Sequence, residues 1–268
     1  MLDILIIILV VFIILTFFYK QSICEFRLNQ IEWHQKENIQ ELLHEKIPLV
    51  VRTIPSAAFW THADVALRSC FSSISIFKEM NISEWLDTNE TICPWKHSQA
   101  ELIASVSGIA IWAAKWINPL IIHPLLKFWI FPKYYCWAGN IGLRKTYATF
   151  TCIFPVDGEI MVTIMPEIVE SSLPSDWAGC FPSQLTIKDT PFIADIKYID
   201  IILRPGNCLF LPPHWFVAWT NASENDSKVP MKVPMKVPMK VPMKVPMVCQ
   251  ISYYSPISYL AFISSKNT

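Results

Sequence analysis

Few residues in this chain have the types and spacing that metal or proton chemistry needs. His62-Ala63-Asp64 has the His-x-Asp spacing that lets an imidazole and a carboxylate reach one ion. His214 lies in an aromatic run, Pro212-Pro213-His214-Trp215-Phe216. A non-haem iron centre needs two histidines and a carboxylate on one face, with positions left open for oxygen and co-substrate. No histidine occurs between His123 and His214, so the second half of such a set is hard to assemble. Thr61 or Asp64 as a helix cap accounts for the first motif, and a hydrogen-bonded structural role accounts for a lone histidine among Trp and Phe. No Ser-His-Asp arrangement, glycine-rich phosphate loop or acidic pair at helical spacing stands out. The eight cysteines form no CxxC, and several fall inside apolar runs, which reads as buried, reduced thiols.

These residues have to be positioned by the elements around them. Residues 201–221, IILRPGNCLFLPPHWFVAWTN, read as short strands broken at Pro205-Gly206 and Pro212-Pro213. Pro presets φ and Gly supplies the tight turn, and short strands at such corners suggest a small barrel or sandwich. Residues 29–45 carry an apolar stripe at helical spacing, and Pro48 opens a strand at 49–51. Residues 101–131 are apolar but interrupted by Lys115, Pro119, Pro124 and Lys127, which predicts a buried helix over 102–116 and an irregular stretch after it.

At the start, residues 4–19 are apolar apart from Thr16 and the Tyr19 hydroxyl. With Met1 and Leu2 they make roughly 27 Å of helix, close to a bilayer core. The expectation is an uncleaved transmembrane anchor over residues 1–22, in contact with lipid through residues 2–19. Lys20 and Arg27 then favour a cytosol-facing domain over residues 23–268. Cys24 sits where palmitoylation occurs, although a free thiol is the simpler reading. Residues 228–247 are five copies of Lys-Val-Pro-Met. Proline at every fourth position denies a helix, so this insert is expected to be a disordered loop between two strands. The chain has 22 basic and 22 acidic residues, and five of the basic ones lie in the repeat, leaving 17 against 22 elsewhere. Nothing in that balance argues for nucleic acid.

Residues 201–221 resemble the C-terminal half-site of the JmjC/cupin-like family, whose wording is PGD-x-L-F/Y-I-P-x-x-W-W-H. The stretch IPLVVRTIP at 47–55, followed by Trp60, is similar to the family's opening PVVIRG…W. Trp137, Gly139, Gly142, Gly158 and Pro166 keep the frame of its first metal-bearing segment. The resemblance implies a mainly β fold with flanking helices, a double-stranded β-helix of the cupin/JmjC jelly-roll kind. In the family this fold holds Fe(II) and 2-oxoglutarate. Here the final histidine of the pattern is replaced by Val217. The His-x-Asp of the first segment falls on Lys145/Tyr147 or on Ala148/Phe150, and the co-substrate lysine corresponds to Ile160. The implied strands are 147–155, 201–204, 208–211 and 215–220 of one barrel with an aromatic-filled interior, Phe150, Phe210 and Phe216 being among the candidates to occupy the vacated space.

A scaffold kept without its ligands implies no metal, no cofactor and no catalytic residue. Tyr147, Cys152, Cys208, His214 and Trp215 remain as candidates to line a pocket, because both segments line the barrel in the family. A soft metal site from Cys152, Cys208 and His214 would be the exception. The leading expectation is a membrane-anchored, inactive JmjC/cupin-like domain acting as a structural or interaction module with a protein partner. Chains of this layout resemble proteins of large DNA viruses, which suggests a virion or its assembly. The alternative is an atypical Fe(II)/2-oxoglutarate-dependent oxygenase, or a metal-binding cupin with a relocated site.

Overall fold

A computed structural model describes residues 2–20, 26–55, 57, 59–77, 80–88, 90–122, 128–222 and 245–265. The chain opens with helix α1 (Leu2–Lys20), then strand β1 (Asn29–Glu32), a 3-10 stretch, α2 (Ile39–His44) and β2 (Leu49–Arg52). A helical region follows, with α3 (His62–Leu67), α4 (Ser69–Ser72), a small hairpin of β3 (Ser75–Phe77) and β4 (Met80–Asn81), and α5 (Ile82–Leu86). It continues through α6 (His97–Ser107), α7 (Ile109–Trp116) and α8 (Asn118–Ile121). The strand-rich part holds β5 (Phe131–Ala138), β6 (Ile141–Lys145), β7 (Phe150–Asp157), β8 (Ile160–Met165) and β9 (Ile199–Leu203). β10 (Cys208–Leu211), β11 (Phe216–Asn221), β12 (Met247–Tyr254) and a last helix, α9 (Pro256–Ser265), complete it.

The strands assemble into a six-stranded sheet, β1-β2-β10-β7-β12-β5, and a four-stranded sheet, β6-β11-β8-β9. Helices hold 39% of the residues and strands 29%, and the sheets do not close on each other. The expected mainly β double-stranded β-helix is therefore corrected to a mixed α and β fold with two open sheets. The expected strands do form within 150–221, but β10 and β7 join one sheet while β9 and β11 join the other. What the sequence reading underweighted is the region 59–121, where buried Trp60, Phe71, Trp85, Trp95 and Trp112 build a helical layer.

Period-two alternation sorts the six-stranded sheet into two faces. Phe154 meets Trp112 of α7 at 4.8 Å between ring centroids, and the Cys136 thiol lies 3.5 Å from the Ser107 hydroxyl of α6. The pairings Phe210↔Cys152, Ile251↔Cys152, Cys249↔Phe154 and Cys249↔Cys136 put those side chains on the same, helix-facing side. Thr151, Gln250 and Ser252 consequently point toward the four-stranded sheet. Gly142 is obligatory where the sheets meet the 179–180 loop, since an added Cβ would be driven into the Gly179 carbonyl.

Two local expectations change. Residues 29–32 form a strand rather than the start of a helix, because Ile31 buries in parallel pairing with Val51 of β2. Tertiary pairing here overrides a helical spacing of apolar residues. The apolar stretch 101–131 is split at Gly108, whose φ of 97° ends α6 and starts α7.

The transmembrane expectation is also corrected: among the described residues, no helix is long and apolar enough to cross a membrane. The single-pass, cytosol-facing placement falls with it. The physical reason lies at the C-terminal turn of α1. The Tyr19 hydroxyl donates to the Tyr147 carbonyl at 3.1 Å, and the Tyr19 carbonyl accepts from His214 Nε2 at 2.7 Å. Phe12, Thr16 and Tyr19 form the one half-buried stripe of α1, which packs on α9. With Asp3 at one end and Tyr19 docked at the other, the apolar stretch between them is about 22 Å long, short of a bilayer core of about 30 Å. Cys24 and most of the Lys-Val-Pro-Met array (223–244) lie outside the described residues. The last copy is described from Val245 onward: Val245 and Met247 are buried, and Met247 opens β12.

Candidate functional site

The space between the two sheets is where the resemblance would place a metal. Its geometry follows from the pairing of β6 with β11, which sets Val217 opposite Arg144 and Phe216 opposite Lys145. Residues directly opposite on paired strands share a face. Val217 and Arg144 point into the interior, while Phe216 and Lys145 point outward. Phe216 joins a separate apolar cluster with Leu143, Met165 and Val169. Lys145 is held outside by Glu167 at 2.8 Å and Glu170 at 2.7 Å. These hydrogen bonds and charges raise its pKa despite the desolvation that opposes them.

The interior cation is therefore Arg144, which the sequence reading did not single out. Its guanidinium carbon lies 4.2 Å from the centroid of the Trp137 ring. Desolvation pulls its pKa down from 12.5 to about 10, with the nearby Cys93 thiol acting in the opposite direction. Nη1 is buried without a hydrogen-bond partner. The small cavity beside it, about 50 Å³, is lined by Val217 and Trp219 on one sheet and by Tyr135, Thr151, Gln250 and Ser252 on the other. Phe262 of α9 covers its rim, packing on Tyr147 at 5.8 Å and on Tyr254 at 5.7 Å.

The residues at this place do not fit an Fe(II) centre. Val217 offers no ligand, and Arg144 opposite it brings positive charge. Among the cavity-lining residues only His97 is a ligand type. Among the described residues, no group of three or more His, Cys, Asp or Glu side chains could hold a metal ion.

The sequence candidates are scattered. Tyr147 lines the cavity. Cys152 and Cys208 are fully buried with their sulfurs 2.9 Å apart, but on the helix-facing side of the six-stranded sheet. Burial raises the Cys208 pKa well above its usual value, and the Cys152 thiol beside it adds to that. Phe150 and Phe210 share that outer side with Cys152, so the expected phenylalanine-filled interior is replaced by Tyr135, Trp137, Arg144 and Trp219. Trp215 is buried and stacks on Phe26 at 6.4 Å, while its Nε1 has no hydrogen-bond partner. His214 stands apart from the thiols. It is 2% exposed, with a positive φ of 68°, and clamps the end of α1. Its backbone N–H donates to Thr146 at 2.7 Å. Burial pushes its pKa below the ordinary 6.5, against the Glu167 carboxylate and the Tyr19 carbonyl, which raise it.

His62 and Asp64 do not form a metal pair. Thr61 and Asp64 make a capping box on α3, and His62 Nε2 donates to the Val245 carbonyl at 2.7 Å. Arg144 was hard to find from sequence because Lys145 next to it is an equally good candidate; only the register with Val217 decides which faces inward. An open groove elsewhere in this part of the fold, about 340 Å³ beside Met161, Met165 and Tyr198, has Asp200 as its single charged residue. It lacks convergent polar groups. No family model matches the chain, and no curated protein matches it.

Proposed function

We propose that the chain is a non-catalytic scaffold resembling the JmjC/cupin-like type, serving as an interaction or assembly module for a protein partner. The observation that carries this reading is the Val217–Arg144 pair, a hydrocarbon facing a cation where an oxygenase of that type would place its iron ligands. Losing one ligand of a facial triad cripples such a site, and a guanidinium also repels a divalent cation. Edge strand β9 fits an interaction role. It pairs only with β8 among the described residues, and it leaves Ile202 57% exposed beside an equally exposed Tyr198. An unpaired strand edge is a ready template for another chain.

The test is metal analysis of the purified full chain after incubation with Fe(II), with 2-oxoglutarate turnover followed by succinate release. The expected result is no stoichiometric iron and no succinate. Stoichiometric iron together with succinate would overturn this reading and put an oxygenase with a relocated site in its place.

A further inference from the structure

We propose that Arg144 forms the base of a binding site for one small monovalent carboxylate or oxoanion, enclosed between the two sheets. This goes beyond a scaffold role and does not depend on it. Four observations carry the proposal. The guanidinium has a buried nitrogen, Nη1, with no hydrogen-bond partner. No carboxylate lies within ion-pair distance of it among the described residues, whereas neighbouring Lys145 is matched by both Glu167 and Glu170. A cavity of about 50 Å³ adjoins it. Neither Asp nor Glu lines that cavity, while Arg144 and His97 do.

A buried charge without a partner is unfavourable, and it is ordinarily relieved by a counter-charge. Stacking on Trp137 supports one face of the guanidinium and leaves its in-plane N–H groups to donate. Their fork geometry matches two oxygens of a planar anion. The opposite wall is suited to the rest of the ligand. Gln250 is fixed by accepting from Trp137 Nε1 at 3.2 Å and donating to the Ser252 hydroxyl at 3.1 Å. Ser252 thus accepts in that bond, and its hydroxyl also pairs with the Tyr254 side chain at the cavity wall.

Size sets the ligand class. The cavity has room for about three or four waters, or for one formate-sized anion in their place. The best affinity open to a three-heavy-atom ligand is a Kd of roughly 1 mM. Phe262 at the rim, packed on Tyr147, narrows access to the site, which favours a charged bond inside.

Formate is the probe. The full-length protein is titrated with sodium formate to about 100 mM, at sodium concentration held constant with gluconate, whose chain exceeds the cavity. Melting temperature and the ¹³C-formate NMR line width are read together. A saturable rise in melting temperature with matching line broadening is expected. Arg144→Met should weaken formate binding roughly tenfold or more without lowering the melting temperature in gluconate, since it removes a partly buried charge whose Nη1 has no partner. Arg204→Gln, an exposed arginine on the surface, should leave the response intact. A wild-type protein with no saturable response in either readout overturns the site, and so does an equal response to gluconate. Should Arg144→Met fail to fold, the wild-type formate and gluconate titrations decide alone.

Discussion

At the scale of single residues, His214 is a buried imidazole whose bond to the Tyr19 carbonyl joins α1 to the strand region. Its folded pKa is depressed, first by burial, relative to an ordinary 6.5. As pH falls through that value the unfolded chain takes up a proton and the folded chain resists. Its contribution to stability is therefore present above 6.5 and lost as pH falls toward the folded value. The melting temperature should drop between about pH 7 and about pH 5. In His214→Gln, which keeps an N–H donor without the titration, that drop should be smaller; an unchanged pH profile would show that other groups control it. The histidine's structural role was legible in the sequence, because a lone His among Trp and Phe has nothing to ligate with. Arg144 was not. Adjacent residues on a strand point to opposite faces, so a choice between 144 and 145 requires the register, and no sequence feature fixes that.

Elements show the same division between what is local and what is not. The strands around 150–157 and 199–221 were legible from β-branched and aromatic runs bounded by Pro and Gly. Their distribution over two open sheets was not, since it depends on β1 and β2 adding to β10 from far away in the chain. α1 was legible as a helix, yet its docking was hidden. In an all-apolar run, the stripe of Phe12, Thr16 and Tyr19 looks like any other. Among the described residues of α1 that stripe is the least exposed, whereas Ile4, Ile7, Ile8 and Val11 are about half exposed or more. Removing residues 1–10 should therefore leave the melting temperature within about 1 °C. Tyr19→Ala should lower stability by about 1–3 kcal/mol in urea unfolding, through the lost hydroxyl bond and ring packing. Equal stability of Tyr19→Ala and the parent would mean that α1 does not dock at all.

For the molecule as a whole, one continuous core runs from the helical layer through the six-stranded sheet, and the cluster around Phe216 sits apart from it. The last Lys-Val-Pro-Met copy belongs to this core. His62 Nε2 donates to the Val245 carbonyl, Gly139 N–H donates to the Pro246 carbonyl at 2.9 Å, and Met247 is fully buried. Deleting one whole copy, residues 240–243, should leave the melting temperature within about 1 °C, because the same Val-Pro-Met still reaches β12 and chain-closure entropy changes only slowly with length. Deleting residues 245–246 instead brings Met243-Lys244 up to the strand in place of Val-Pro, and should cost about 2–4 kcal/mol. Similar losses from both deletions would show that the array's length, not its last copy, is what matters. A four-residue unit that always ends Val-Pro-Met has a genetic consequence. Gain or loss of whole twelve-nucleotide units by replication slippage delivers the same three residues to the sheet each time. Copy number can therefore drift between lineages while the start of β12 receives the same Val-Pro-Met.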